Sequence, residues 1–140
     1  MMIYKKSWKY ILKHTFDFYY RLKAVKDFSD VKKGELGGYV KGYYNLSQIG
    51  KCWVYNTARI SKRAIVTGNA IIKNNAIVTN TAKVTGSAII ADYAQVSKSA
   101  LVSENAIIKN NAVVTNNAKV TGRAVISGSA IIDGNTVVSE

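Results

Sequence analysis

The sequence predicts an all-β fold, a parallel β-solenoid, and three observations carry that prediction. From Ala58 to Ala130 every sixth residue is alanine, and Thr136 takes the next slot. Two positions after each of these comes Ile or Val, from Ile60 through to Val138. Two positions further on stands Gly or Asn in most copies, as at Gly68, Asn74, Asn80, Gly86, Asn110, Asn116, Gly122, Gly128 and Gly134. A fixed short period means one structural unit stacked on itself. Residues two apart on a strand point the same way, so each Ala faces inward together with its Ile or Val. Gly and Asn tolerate left-handed backbone angles and turn the corners. A helix is excluded because six is far from a multiple of 3.6 and β-branched residues fill the buried slots.

The phrase resembles the hexapeptide repeat of left-handed parallel β-helices. That resemblance implies three hexapeptides to a triangular coil of 18 residues, and it implies the left hand; the usual crossover preference would give the right. A longer period sits on top: Ile71 to Ala76 recurs unchanged at 107–112, and Ala82 to Gly86 recurs at 118–122. A spacing of 36 is two coils, so both copies of each side chain belong to one face, two rungs apart.

Taken in order, residues 1–15 place Tyr4, Trp8, Ile11 and Thr15 on one helical side, with lysines around it. That is the pattern of a short basic amphipathic helix, suited to covering the open end of a solenoid. Residues 16–28 are aromatic and β-branched enough for a strand, expected to pair with the coil edge. Gly34, Gly37 and Gly38 then suggest a tight turn where the chain enters the first coil. The expected organisation is an N-terminal cap over 1–40, helix or strand plus a loop leading into the coils, followed by a left-handed β-helix over 41–140. The cap is expected to be a short α/β unit. The repeat runs in register to Val138 with no plug behind it, so that end is expected to meet a second copy or a partner.

The chain is 140 residues long and contains no proline, which suits an uninterrupted ladder. Its net charge of +12 is uneven: residues 1–63 carry 14 Lys and Arg against four acids, whereas 64–140 carry six against four. A polyanion, an acidic protein surface or non-specific nucleic acid would be drawn to the N-terminal end, with Lys5, Lys6, Lys9, Lys13, Lys32 and Lys33 as the expected contacts. No run is long enough to span a membrane and no signal peptide is evident. Cys52 is the single cysteine. A reducing compartment, the cytoplasm, is therefore expected.

A second resemblance lies at the start of the repeats. The order "RLKAVKDF…DVKKGELGGYV…NLSQ…CWVY", running into Ala-x-Val hexapeptides, looks like a family of small phage and prophage proteins. These carry a Lys-Gly-Asp-Leu-Gly-Gly signature ahead of a hexapeptide solenoid and are described only as hexapeptide-repeat, polymer-forming or transferase-like proteins. The match covers residues 18–140. It implies a phage-type interaction protein in a host cytoplasm that binds a host protein or nucleoprotein complex, with inhibition of a bacterial defence or nucleoprotein complex as the implied role.

Sorting the outward residue of every third hexapeptide gives three faces. One reads Arg59, Ile77, Gln95, Val113, Ile131; the second Ile65, Lys83, Leu101, Lys119, Val137; the third Trp53, Ile71, Ile89, Ile107, Val125. The third has no polar member. Monomers seldom expose such a strip, so it is expected to form a homo-oligomer, dimer or trimer.

Hexapeptide solenoids are best known as acyltransferases, which the resemblance implies would use a histidine on the coil as general base. Imidazole suits proton transfer near neutral pH. Here the one histidine, His14, precedes the repeats, and Cys52 fills an alanine slot, inward by register. The acids at 92, 104 and 133 are scattered, which gives no metal set. The sequence therefore points to a non-enzymatic protein with no catalytic residue, metal or cofactor, the alternatives being a structural assembly scaffold and an atypical acyltransferase.

Overall fold

The computed structural model describes residues 7–15 and 17–140. From Trp53 to Val138 it contains fifteen two-residue strands, one per hexapeptide. They stack in parallel, each residue pairing with the one 18 positions away, as in Ile71↔Ile89 and Ile89↔Ile107. Three sheets result, one per face, and each contains one of the outward series read from the sequence. The inward Ala and Ile or Val positions are 0–1% exposed from Ala58 to Ala124. Filling each inward Ile or Val slot contributes about 1.5–3 kcal/mol when burial is complete. Only in the last coil do the inward Ile132 and Val138 become half-buried.

The corners carry the remaining signal. Fifteen corner residues, in three columns, have φ between +52° and +82°. Gly and Asn hold most of these positions, as expected, but Lys62, Asp92, Lys98 and Glu104 also adopt the left-handed conformation. One column repays the strain with a side-chain ladder. Asn56 Oδ1 accepts from the Asn74 amide, Asn74 Oδ1 from the Asp92 amide, Asp92 from Asn110, and Asn110 from Gly128. Asx side chains thus act twice, tolerating the angle and bonding the next coil.

Ahead of the coils lie three longer strands, β1 (Tyr10–His14), β2 (Tyr20–Ala24) and β3 (Leu36–Val40). β1 pairs antiparallel with β2, and β2 antiparallel with β3. β3 then pairs in parallel with the first strand of its face through Tyr39↔Arg59. The eight-stranded sheet is one face of the solenoid extended by this hairpin. The helical reading of residues 1–15 does not hold over Tyr10–His14, and Tyr4 lies outside the described residues. Tyr10 is buried here, and its hydroxyl donates to the Leu46 carbonyl, so tertiary contacts override a weak local periodicity. Residues 16–28 do contain a strand, as expected, but β3 is the one that meets the coil.

The Gly-Gly pair has a different role from the turn read in the sequence. Gly34 does turn, at φ +92°. Gly37 and Gly38 are strand residues inside β3. A Cβ on Gly37 would come within 2.7 Å of the Trp53 ring, and one on Gly38 within 2.4 Å of the Ala58 carbonyl oxygen. They are glycine because the strand presses directly onto the first coil.

The Asn-Leu-Ser-Gln segment fastens the same junction. Asn45 is fully buried; its Oδ1 accepts from the Lys41 and Gly42 amides, and its Nδ2 donates to the carbonyls of Lys62 and Ala64. Gln48 does the equivalent for β1: its Oε1 accepts from the Lys9 and Tyr10 amides and its Nε2 donates to the Tyr10 carbonyl. Two side-chain amides thus replace a strand pairing where the regular ladder has none.

Candidate functional site

Two surfaces emerge, an apolar column on one face and a cationic, aromatic end on another. The column is the third-face series, in unbroken register from Trp53 to Val125. Trp53 does not share its exposure. It is fully buried, with Phe28 edge-on at 5.1 Å between ring centroids and Tyr10 at 6.2 Å. Its indole N–H has no hydrogen-bond partner among the described residues. The N-terminal segment covers the first rung, which withdraws Trp53 from the expected oligomer interface. Ile71, Ile89 and Ile107, in direct register on neighbouring rungs, remain half-buried, and Val125 is exposed. Lys73 and Lys109 flank the column and Ala91 sits buried between them.

The expected polyanion contacts divide three ways. Lys5 and Lys6 lie outside the described residues. Lys13, Lys32 and Lys33 are exposed. Lys9 is 1% exposed and cannot serve as a contact. Its Nζ donates to the Cys52 carbonyl at 2.7 Å and the Gly50 carbonyl at 3.3 Å, lies 3.3 Å from Cys52 Sγ, and stands 5.3 Å from the centre of the Phe28 ring. Cys52 is buried, as its alanine slot implies. The lysine reaches the first-coil carbonyls that no preceding coil covers.

Burial holds the pKa of Lys9 below the ordinary lysine value. The folded state therefore sheds this proton before the unfolded chain does. The charge is most costly to the fold at neutral pH, and stability recovers as pH rises toward 10.5, the unfolded value. Relative to a Lys9→Met variant, the wild type is expected to gain urea resistance between pH 7 and 10. Parallel pH profiles for the two proteins would contradict this assignment.

The sequence did not reveal the second surface. Direct register partners on the eight-stranded sheet run Lys13↔Arg21, Arg21↔Tyr39 and Tyr39↔Arg59. Paired positions share a face, so three cations and a tyrosine form one row crossing from the hairpin onto the coils. Tyr19 stands beside it, edge-on to Tyr39 with ring centroids 6.4 Å apart. Lys41 Nζ lies 4.3 Å and the Arg59 guanidinium 5.6 Å from the centre of the Tyr19 ring. Arg21 lies 5.3 Å from the Tyr39 ring and donates from Nε to the Gly37 carbonyl. A cleft of about 520 Å³ opens here, lined by Thr15, Asp17, Tyr19, Tyr39, Arg59 and neighbours. Asp17 is its one acid. A hydrogen bond from the Thr15 hydroxyl, at 2.7 Å, holds that carboxyl below its ordinary value. Tyr19, Tyr39 and Arg59 stand 20 positions apart in sequence, each on a different segment, which is why no local motif announces them.

Of the groups weighed for catalysis, His14 lies exposed on β1 with its ring 5.0 Å from that of Tyr20. Among the described residues no three His, Cys, Asp or Glu side chains cluster to hold a metal. No helix among them is long and apolar enough to cross a membrane. The fold defines a hexapeptide-type parallel β-solenoid. No protein-family model matches the chain, and no match is found among curated proteins.

Proposed function

We propose that this is a non-enzymatic interaction protein that pairs with a second copy through the Ile71, Ile89, Ile107 and Val125 column and engages a macromolecular partner elsewhere on its surface. The observation that carries the pairing is that the column is apolar at every rung and that the chain itself already covers its first member. Trp53 draws Phe28 and Tyr10 over it. The four rungs beyond offer the same apolar chemistry with nothing from the described residues over Val125, which is 52% exposed. The other two faces are interrupted by Arg59 and Gln95, or by Lys83 and Lys119, all exposed. A partner surface of the same kind satisfies the apolar strip. The resemblance to phage solenoids supports a host macromolecule as the further partner, with inhibition of a defence or nucleoprotein complex as its purpose.

Ile89→Lys combined with Ile107→Lys is expected to give a folded monomer by light scattering while the wild type is a dimer or trimer. Both positions face outward, so the coils should retain their circular dichroism. A wild type that remains monomeric at high concentration would end the proposal.

A further inference from the structure

We infer that the cleft between the N-terminal hairpin and the first coils is a binding site for single-stranded nucleic acid. The inference does not depend on self-association, because the cleft belongs to a different face.

The cations supply the attraction for phosphate. Arg59 lines the cleft, Lys13 and Arg21 share its row, Lys41 lies against the Tyr19 ring, and Asp17 is the one acid among the described lining residues. Arg59 is exposed; its guanidinium lies over the Tyr19 ring and feels the Asp17 carboxylate, but its side chain makes no hydrogen bond among the described residues. The remaining lining groups suit a base better than a carboxylate. The Thr57 hydroxyl donates to Asn75 Oδ1, and the amide nitrogen of the exposed Asn75 has no acceptor among the described residues. Tyr19 and Tyr39 line the same cleft with Lys41, Arg59 and Arg21 over their rings, cations that a base would slide beside or displace, and Phe18 next to them is 90% exposed. Bases stack on such rings whatever their sequence, while basic side chains follow the backbone.

Shape selects a single strand over a duplex. The cleft is concave and about 520 Å³, room for an unstacked base, and no helix or ribbon projects from the described residues to enter a groove. It also continues. A second depression of about 510 Å³, sharing Arg59 and Asn75, runs over Ile77, Gln95 and Val113 with Tyr93 at its rim. Tyr93 is 63% exposed. A strand leaving the first cleft would therefore find another ring along the same face.

The test is fluorescence anisotropy with a labelled 15-mer of deoxythymidine, using the full chain. Binding is expected to weaken about 20-fold between 50 and 200 mM salt if three phosphates are neutralised. Tyr19→Leu is expected to weaken it about tenfold, the effect of losing one stacked base, and Arg59→Ala by a similar factor. Lys32→Ala with Lys33→Ala, outside the cleft, should change it less than twofold. Both cleft positions reach the surface, and circular dichroism checks that each variant folds. Competition by duplex DNA or heparin as effective as by the single strand would overturn the inference. So would dTMP binding as tightly as the 15-mer, an unaltered affinity in Tyr19→Leu, or no binding at low salt.

Discussion

Asn45→Ala is expected to destabilise the protein by about 3–4 kcal/mol, because four backbone groups lose their partner at once. The amides of Lys41 and Gly42 and the carbonyls of Lys62 and Ala64 all meet the Asn45 side chain, and Asn45 is 0% exposed. Water cannot replace the amide without opening the junction. The damage should be local at first. A solenoid's stability is a sum over neighbouring units, so the hairpin and first coil should loosen while the coils from Ala70 to Val120 hold. Urea unfolding of the variant is expected to split into two steps, with early hydrogen exchange confined to residues before about Val66. Asn45→Asp should be worse, since a carboxylate would face two carbonyls. A single transition with an unchanged midpoint would show that the amide is not what fastens this junction.

This junction marks where the sequence stops being legible. The coils could be read because period six is local: each alanine predicts its own burial and each outward residue its own face, and the registers follow. The corner Asn and Gly positions were equally plain, whereas Lys62 and Lys98 in the same slots carry no local mark of a left-handed angle. The N-terminal half follows no period. The register of the repeat places Trp53 outward, level with Ile71, but its burial depends on Phe28 and Tyr10, 25 and 43 positions upstream. Lys9 looked like one more surface lysine among several, and only the bare carbonyls of Gly50 and Cys52 make it a buried donor. The cationic, aromatic cleft is invisible for the same reason. Tyr19, Tyr39 and Arg59 become neighbours only because β3 joins the hairpin to the coil.

That joining rests on Gly38, and Gly38→Ala is expected to cost about 3 kcal/mol or more. The added Cβ would stand 2.4 Å from the Ala58 carbonyl oxygen and 2.5 Å from Val54 Cγ1. Neither neighbour can yield cheaply. Val54 is fully buried, and the Ala58 oxygen accepts the Tyr39 amide at 3.0 Å, the bond by which β3 meets the first strand of its face. Backing β3 away therefore breaks the contact the substitution was meant to tolerate. Gly37→Ala meets the Trp53 ring, which Phe28 and Tyr10 hold in place, so a comparable loss is expected there, with exposure of the indole. Gly34→Ala is the control. Nothing lies within 4 Å of its Cβ position, and only its φ of +92° disfavours a side chain, a cost of about 1–2 kcal/mol. Chemical denaturation followed by tryptophan emission separates the cases. Gly38→Ala should lower the midpoint most, and Gly34→Ala least, with the tryptophan emission of its native state unshifted. If Gly38→Ala proved no less stable than Gly34→Ala, β3 would have to sit further from the coil than this packing requires, and the row from Lys13 to Arg59 would lose its geometric basis.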